Sequence, residues 1–322
     1  MDFILAKDYA AHLAELISAA QERVLLETMV IDDEGAMNDI LLACLEASRR
    51  GVSVAVVYDR FTVFDQIMHG RLSDIRRLNN LLRYLQSGGV DVIKVGRIRL
   101  NPFSGRHHTK AAIVDDRVLI GGGVNLTGQS FAHNDVMWSI DDTQLASRLH
   151  EALPKLAASR HQNKIVWQSY DFDVLLDAGR RGTSLIYETA HTLAQKADQI
   201  YYVSKLMPTG KLGRIIESKP ASCWFNTLKT AHLFDKLALF IDKTKYKLDN
   251  NYSDDKLLHA KLCVFVMSDG KMEAISGSHN FNYRGVKFGT QEIALHIKNQ
   301  KMCRQLIEYA ESLGSSNSQS HK

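Results

Sequence analysis

Two stretches of this chain, half its length apart, are written to one plan, and that repeat constrains the fold more than any other feature. His108-Thr109-Lys110 is followed, 15 residues beyond the lysine, by Asn125 in Gly122-Gly123-Val124-Asn125. His259-Ala260-Lys261 is followed, 19 residues beyond its lysine, by Asn280 in Gly277-Ser278-His279-Asn280. One His-x-Lys triplet means little in a chain with 13 histidines. Two triplets, one per half, each at an expected strand and each with its Gly-x-x-Asn downstream, imply a duplicated unit. Two similar units most simply pack as a dimer does, about a pseudo-twofold axis.

Apolar periodicity fills in the unit. Helical spacing over 8–21, 36–50, 73–87 and 143–157 alternates with strand-like runs at 24–31, 52–58, 90–95, 110–115, 117–121 and 135–140. Val52-Ser53-Val54-Ala55-Val56-Val57-Tyr58 is nearly continuous, the pattern of a strand covered on both faces, so 24–58 reads as a βαβ unit in a parallel core. The second half repeats the order, with helices at 187–197, 210–218, 228–240 and 299–313 and strands at 199–206, 221–226, 259–267, 271–276 and 291–297. The expected architecture is α/β: two similar α/β/α halves with mixed, largely parallel sheets related by a pseudo-twofold axis. Residues 1–158 form the first half and 184–314 the second. A linker covers 159–183 around Gly179-Arg180-Arg181-Gly182, and a disordered small-polar tail covers 315–322.

Composition narrows the function classes. With 45% hydrophobic and 24% charged residues, the chain is a globular protein rather than a disordered one. No apolar run reaches the roughly 18–20 residues of a spanning helix, and Met1 to Asp8 lacks a signal-peptide layout, so a cytoplasmic location is expected. Cys44, Cys223, Cys263 and Cys303 are far apart and read as reduced, buried thiols. Charge is unevenly shared: residues 1–158 hold 17 Lys+Arg against 20 Asp+Glu, and 159–322 hold 23 against 16. A basic second half suits an anionic substrate, lipid headgroup or nucleic acid, without choosing between them.

The repeated residues point to phosphoryl chemistry. In a strand, residues i and i+2 share a face, so each His and Lys look into the same space. Paired halves would gather two imidazoles, two ammonium groups and two carboxamides. Displacement at a phosphodiester needs a nucleophile on one side, a general acid on the other and donors around the equatorial oxygens. This set provides all three; no metal or other cofactor is expected, since paired lysines repel a cation.

The motifs resemble the phospholipase D superfamily, whose mark is a duplicated His-x-Lys-x4-Asp followed by Gly-Ser/Gly-x-Asn. His108, Lys110, Asp115, Gly122, Gly123 and Asn125 match the first copy; His259, Lys261, Gly277, Ser278 and Asn280 match the second. Arg49 to Val54 with Tyr58-Asp59, the Gly122-Gly123-Val124-Asn125 variant and Gly277 to Arg284 are closest to bacterial cardiolipin synthases. The resemblance implies a covalent phosphatidyl-histidine on one His, with His108 preferred as nucleophile and His259 as acid, and retained configuration at phosphorus. It also implies support from Asp115, carboxylates orienting the imidazoles at Asp135 and Glu292, and substrate contacts at Gly123, Ser278 and Arg284. The second copy departs from the pattern: Val266 stands where the family has Asp.

The leading reading is therefore a phosphatidyltransferase acting on an anionic phospholipid such as phosphatidylglycerol. It would be peripherally attached at the inner membrane face, with apolar segments 61–72 and 228–240 as membrane-contact candidates. A metal-independent phosphodiesterase acting on nucleic acid is the alternative, and a weakened scaffold binding anionic membranes the second. His107 and His279 are expected to make local polar contacts.

Overall fold

The computed structural model of the chain describes residues 1–68, 72–96, 104–158, 162–230 and 233–314. His69 to Arg71 of the first apolar segment and the tail 315–322 lie outside them. The first sheet holds β1 (Asp2–Leu5), β2 (Arg23–Thr28), β3 (Ser53–Asp59), β4 (Asp91–Val95), β5 (Ala111–Val114), β6 (Arg117–Ile120) and β7 (Val136–Asp141), in the order β1-β7-β6-β5-β2-β3-β4. The second holds β8 (Lys164–Gln168), β9 (Phe172–Ala178), β10 (Gln199–Ser204), β11 (Ala221–Phe225), β12 (Leu262–Val266), β13 (Met272–Gly277) and β14 (Gln291–Ile297), in the order β11-β10-β12-β13-β14-β9-β8. Read from opposite ends, six strands correspond one to one. β1, β7, β6, β5, β2 and β3 match β9, β14, β13, β12, β10 and β11, with the same sense at every pairing.

The expected βαβ unit is present: β2 and β3 pair in parallel, Val24 opposite Val54, across helix α2 (Met37–Arg49). The crossover turns at Gly51, whose φ of 93° lies in the left-handed region that glycine enters without a Cβ penalty. The sheets are mixed, but parallel pairs are confined to β2-β3-β4 and β10-β11; every other pairing is antiparallel. This corrects the expectation of largely parallel sheets. The cause is connection length: only Asp115 and Asp116 separate β5 from β6, too few for a parallel crossover.

A second correction concerns 159–183. That segment is not a linker, since it contains β8 and β9, and β9 pairs with β14 over seven positions while buried throughout. Asp173 and Asp177 interrupt the apolar run of β9. Folding supplies partners for both: Lys298 Nζ reaches Asp173 at 2.8 Å, and Ser184 Oγ and the Leu185 amide donate to Asp177 at 2.5 and 2.6 Å.

Three apolar layers hold the molecule. Helices α1 (Ala6–Ala19), α2 and α4 (Leu72–Ser87) cover the outer face of the first sheet, and α6 (Leu185–Lys196) and α7 (Gly210–Glu217) that of the second. The inner layer joins both sheets with α5 (Thr143–Ala158) and α10 (Gln300–Ser312). There Gly121, at φ 79°, packs so closely that a Cβ would stand 2.6 Å from Leu295 and 2.8 Å from Trp138. Ser276 Oγ donates across the halves to the Gly121 carbonyl at 2.6 Å. All four cysteines are buried and unbridged.

Candidate active site

Both His-x-Lys triplets sit just before their strands rather than on them, β5 beginning at Ala111 and β12 at Leu262. Each is held by the opposite half. The His108 amide donates to the Gln291 carbonyl at 2.9 Å and the Gln291 amide to Arg106 at 2.8 Å. In mirror fashion, the amides of His259 and Ala260 both donate to the Asn134 carbonyl at 2.9 Å. Asp135 and Glu292 directly follow Asn134 and Gln291, so these backbone bridges deliver each carboxylate to the other half's imidazole. His108 Nδ1 lies 2.7 Å from Glu292 Oε2, and His259 Nδ1 lies 2.7 Å from Asp135 Oδ2. The imidazoles keep 14% and 10% of their side-chain surface open and the carboxylates 4% and 0%, so a ligand meets the rings, not the acids.

Lys110 Nζ donates to the His108 carbonyl at 2.8 Å, and Lys261 Nζ to the carbonyl of His259. Both ammonium groups are buried, and burial together with their mutual repulsion holds Lys110 well below its ordinary pKa. Burial also lowers His108 to about 4; the lysines add to this and Glu292 opposes it. His259 is likewise pushed well down, by burial first, then Lys261, Lys205 and His133. Both rings are therefore neutral near pH 7. With Nδ1–H donated to a carboxylate, the lone pair falls on Nε2. Glu292 is held down at about 2 although burial pushes it up, because His108, His279 and Lys110 outweigh that cost. Asp135 is raised by burial despite Lys261.

The glycines of the motifs are explained by close approach. A Cβ on Gly122 would stand 1.6 Å from the Val136 carbonyl oxygen, and one on Gly277 2.4 Å from that of Ile293. Gly123 and Ser278 occupy matching places but do different things. Ser278 Oγ donates to Glu292 Oε2 at 2.5 Å, so it braces the carboxylate rather than reaching outward as a substrate contact. Gly123 gives its amide to Asp135 at 3.2 Å, and a Cβ there would lie 2.7 Å from Lys261 Nζ. Asn125 sits 3.5 Å from Thr28 Oγ1 at the end of β2, and the Asn280 carbonyl accepts from Ser204 Oγ at 3.1 Å at the end of β10. The Asn280 Oδ1 is buried with no hydrogen-bond partner among the described residues.

Two expected site residues are placed elsewhere. Asp115 follows β5, at the end opposite Lys110, about 16 Å along an extended strand. Its carboxylate accepts the amides of Gln21, Glu22 and Arg23 at 2.9 Å, so it supports the entry to β2, not the site. Val266 at the matching place in the second half is no loss for the same reason; there the Val266 carbonyl takes the Asp198 amide at 2.8 Å. Arg284 opens helix α9 (Tyr283–Phe288) and pairs with Asp242 of α8 (Leu233–Lys243). His279 Nδ1 makes the expected local contact, accepting the Phe281 amide at 2.9 Å. Sequence reasoning missed His133, whose ring lies 5.8 Å from that of His259, and Lys205 at the end of β10. No motif marks either residue.

Comparison with known proteins bears on the family and the fold. Residues 13–156 match the family described as cardiolipin synthase, PLD-like domain. Cardiolipin synthase B of Salmonella typhi and that of Salmonella typhimurium are 26% identical over 115 residues, covering 36% of this chain and 26% of theirs. The chain thus matches about a quarter of the length of these curated relatives. Among solved structures, phosphatidylserine synthase of Haemophilus influenzae Rd KW20 aligns at TM-score 0.70 and 13% identity over 97% of this chain and 85% of that one. Polyphosphate kinase of Porphyromonas gingivalis aligns at 0.64 and 14% identity over 96% of this chain and 49% of that one. These two likenesses extend the shared fold over nearly the whole chain. Residues 13–156 thus carry the matched cardiolipin synthase, PLD-like domain, and the second half of the chain repeats its His-x-Lys motif.

Proposed function

We propose that this protein is a phosphatidyltransferase of the cardiolipin synthase type, working through a phosphohistidine. The observation that carries the reading is the crossed arrangement: two neutral imidazoles, each oriented by the other half's carboxylate, with Lys110 and Lys261 acting electrostatically on both rings. His108 Nε2 attacks phosphorus, forming the P–N bond as the P–O bond to the leaving alcohol breaks. His259 supplies the proton to that alcohol. It acquires the proton as an anionic phosphodiester enters, because the incoming negative charge counters the lysines that depress its pKa. Lys110, Lys261 and the carboxamides of Asn125 and Asn280 hold the non-bridging oxygens. In the second step His259 removes the acceptor's proton and the acceptor displaces His108.

An anionic phospholipid, with phosphatidylglycerol as the first candidate, suits the charge of this site and the chain's likeness to cardiolipin synthase B. No described helix is long and apolar enough to cross a membrane. Attachment to the bilayer is then peripheral, through exposed Ile67 on helix α3 (Phe61–Met68), Leu228, and Phe240 and Ile241 on α8. Lipid mass spectrometry after incubation with phosphatidylglycerol vesicles tests the reading. Cardiolipin and glycerol are expected with the unaltered chain and not with His108→Ala; unchanged lipid from folded, vesicle-bound protein would overturn it, and metal-free cleavage of single-stranded DNA would then favour a nuclease.

A further inference from the structure

The residue before His108 is a second imidazole, His107, and it is wholly buried. Its Nδ1 lies 3.1 Å from Gln291 Oε1. That amide cannot be turned round, because Gln291 Nε2 donates to the Leu156 carbonyl. The other ring nitrogen, Nε2, lies 3.2 Å from Glu27 Oε2. Glu27 is itself 2% exposed, and its oxygens have no hydrogen-bond partner among the described residues beyond this ion-pair contact. Both nitrogens of the ring thus face acceptors, Nδ1 at hydrogen-bond geometry and Nε2 at ion-pair distance only, whereas a neutral imidazole has only one N–H to give.

A cationic ring balances the surrounding charges. The His107 amide donates to Asp59 Oδ2 at 2.6 Å, and Arg106 Nη1 pairs with Asp59 Oδ1 at 2.9 Å. Glu27 comes from β2, Asp59 from the end of β3 and Arg106 from the ring's own segment. From β14 the ring meets Gln291, whose side chain is tied to the Leu156 carbonyl of α5, with Glu292 turned to His108. Burial opposes charge on the ring, but Glu27, Gln291 and Asp59 outweigh it and hold its pKa above the ordinary value.

The second half shows that packing does not require this pair. Glu27 lies opposite Ala111 and Val203 opposite Leu262, so Val203 is the counterpart of Glu27. Leu258, preceding His259, is the counterpart of His107. Both Val203 and Leu258 belong to the inner apolar layer. Where one half buries two apolar side chains, the other buries an ion pair.

We infer that His107 is held as an imidazolium against Glu27, and that this buried pair is a positioning device for His108 alone. It locks Gln291, whose carbonyl receives the His108 amide and whose neighbour Glu292 orients the His108 ring.

Nitrogen-15 NMR of the histidine-labelled full chain at pH 7 tests the charge: two protonated ring nitrogens are expected for His107, and one bare nitrogen there would overturn the inference. Glu27→Val with His107→Leu, copying the second half, tests the positioning. Cooperative unfolding is expected to persist while turnover of bis(p-nitrophenyl) phosphate falls about tenfold, KM staying within about twofold; full turnover would overturn the role. Should that variant not fold, Glu27→Gln decides. Losing the carboxylate lowers the His107 pKa, so the alkaline limb of the rate profile should move to lower pH with the His107 titration, and a limb that stays would count against it. If the unaltered chain cleaves no phosphodiester, which is the failure of the proposed function rather than of this inference, the His108 Nδ1 proton replaces turnover. It should broaden by exchange in either variant, and an unchanged signal would refute the positioning.

Discussion

The two histidine segments have the same skeleton and different surroundings. Each has a cross-half carboxylate 2.7 Å from Nδ1 and a lysine folded back on its own carbonyl. Yet around His108 the carboxylate is reinforced: Glu292 takes Ser278 Oγ and sits at about 2, and His107 with Glu27 stiffens the adjoining chain. Around His259 the cations are reinforced instead, with Lys205 and His133 added to Lys261, while Asp135 is raised by its burial. The lesson is that a duplicated motif can keep its geometry while its copies diverge electrostatically. A strongly anchored Nδ1–H favours nucleophilic Nε2 on His108; a ring that gains its proton only when an anion arrives suits acid–base work at His259.

The largest effect that would break or sharpen this comparison comes from the rings. His108→Ala should abolish covalent labelling and lower turnover by at least about 10³-fold on every substrate. His259→Ala should cost about 10²–10⁴-fold with an alkyl leaving group but far less with p-nitrophenolate, which leaves without a proton. Equal losses on both substrates, measured by single-turnover kinetics, would erase the assigned difference.

Exchanging the Gly123 and Ser278 residue types comes next. Gly123→Ser drives a Cβ to within 2.7–2.9 Å of Lys261 Nζ, Asp135 Oδ2 and the His259 carbonyl, and should destabilise the protein by about 1–3 kcal/mol while lowering turnover. Ser278→Gly removes the brace on Glu292 and the hydroxyl that accepts the Ile293 amide at 3.0 Å, at about 1 kcal/mol. Chemical denaturation of both variants tests the order, and a harmless Gly123→Ser would mean that the two places are interchangeable after all.

Acid stability is a smaller and graded test. The folded pKa of His108 is depressed to about 4, so the unfolded chain binds the extra proton first. Its contribution to stability is whole above about pH 6.5 and is lost as pH falls toward 4. His108→Asn should flatten this part of the melting-temperature profile, and an unchanged slope would contradict a buried neutral ring.

The smallest effects concern the motif's aspartate. Asp115→Ala should cost about 1–2 kcal/mol through three lost amide bonds, with kcat unchanged once folded. Val266→Asp should leave turnover within about twofold while costing about 1 kcal/mol of stability, because Val266 is partly buried against the inner apolar layer. A large gain in activity from Val266→Asp would show that the incomplete second motif matters to chemistry.

The duplicated triplets, the Gly-x-x-Asn segments, the βαβ unit and most element positions are legible in the chain because they depend on local periodicity and short spacing. β9 was not legible, since Asp173 and Asp177 interrupt its apolar run and find partners only after folding. Asp115 was legible as a motif member but not as a turn support, because spacing names a residue without saying to which end of the strand it belongs. Glu27 stood in view as a lone charge within an apolar strand, and only the fold gave it His107.

By itself, then, the sequence singled out the groups expected to gather: two imidazoles, two lysines, two carboxamides and two carboxylates on paired α/β units. Only the tertiary structure decided who serves whom, Glu292 turning to a histidine 184 residues away and Asp135 to one 124 residues away. The physical reason is that side-chain alternation and helix period are properties of neighbouring residues. The crossed pairing is set by backbone bridges between the halves, which exist only once the inner apolar layer has closed.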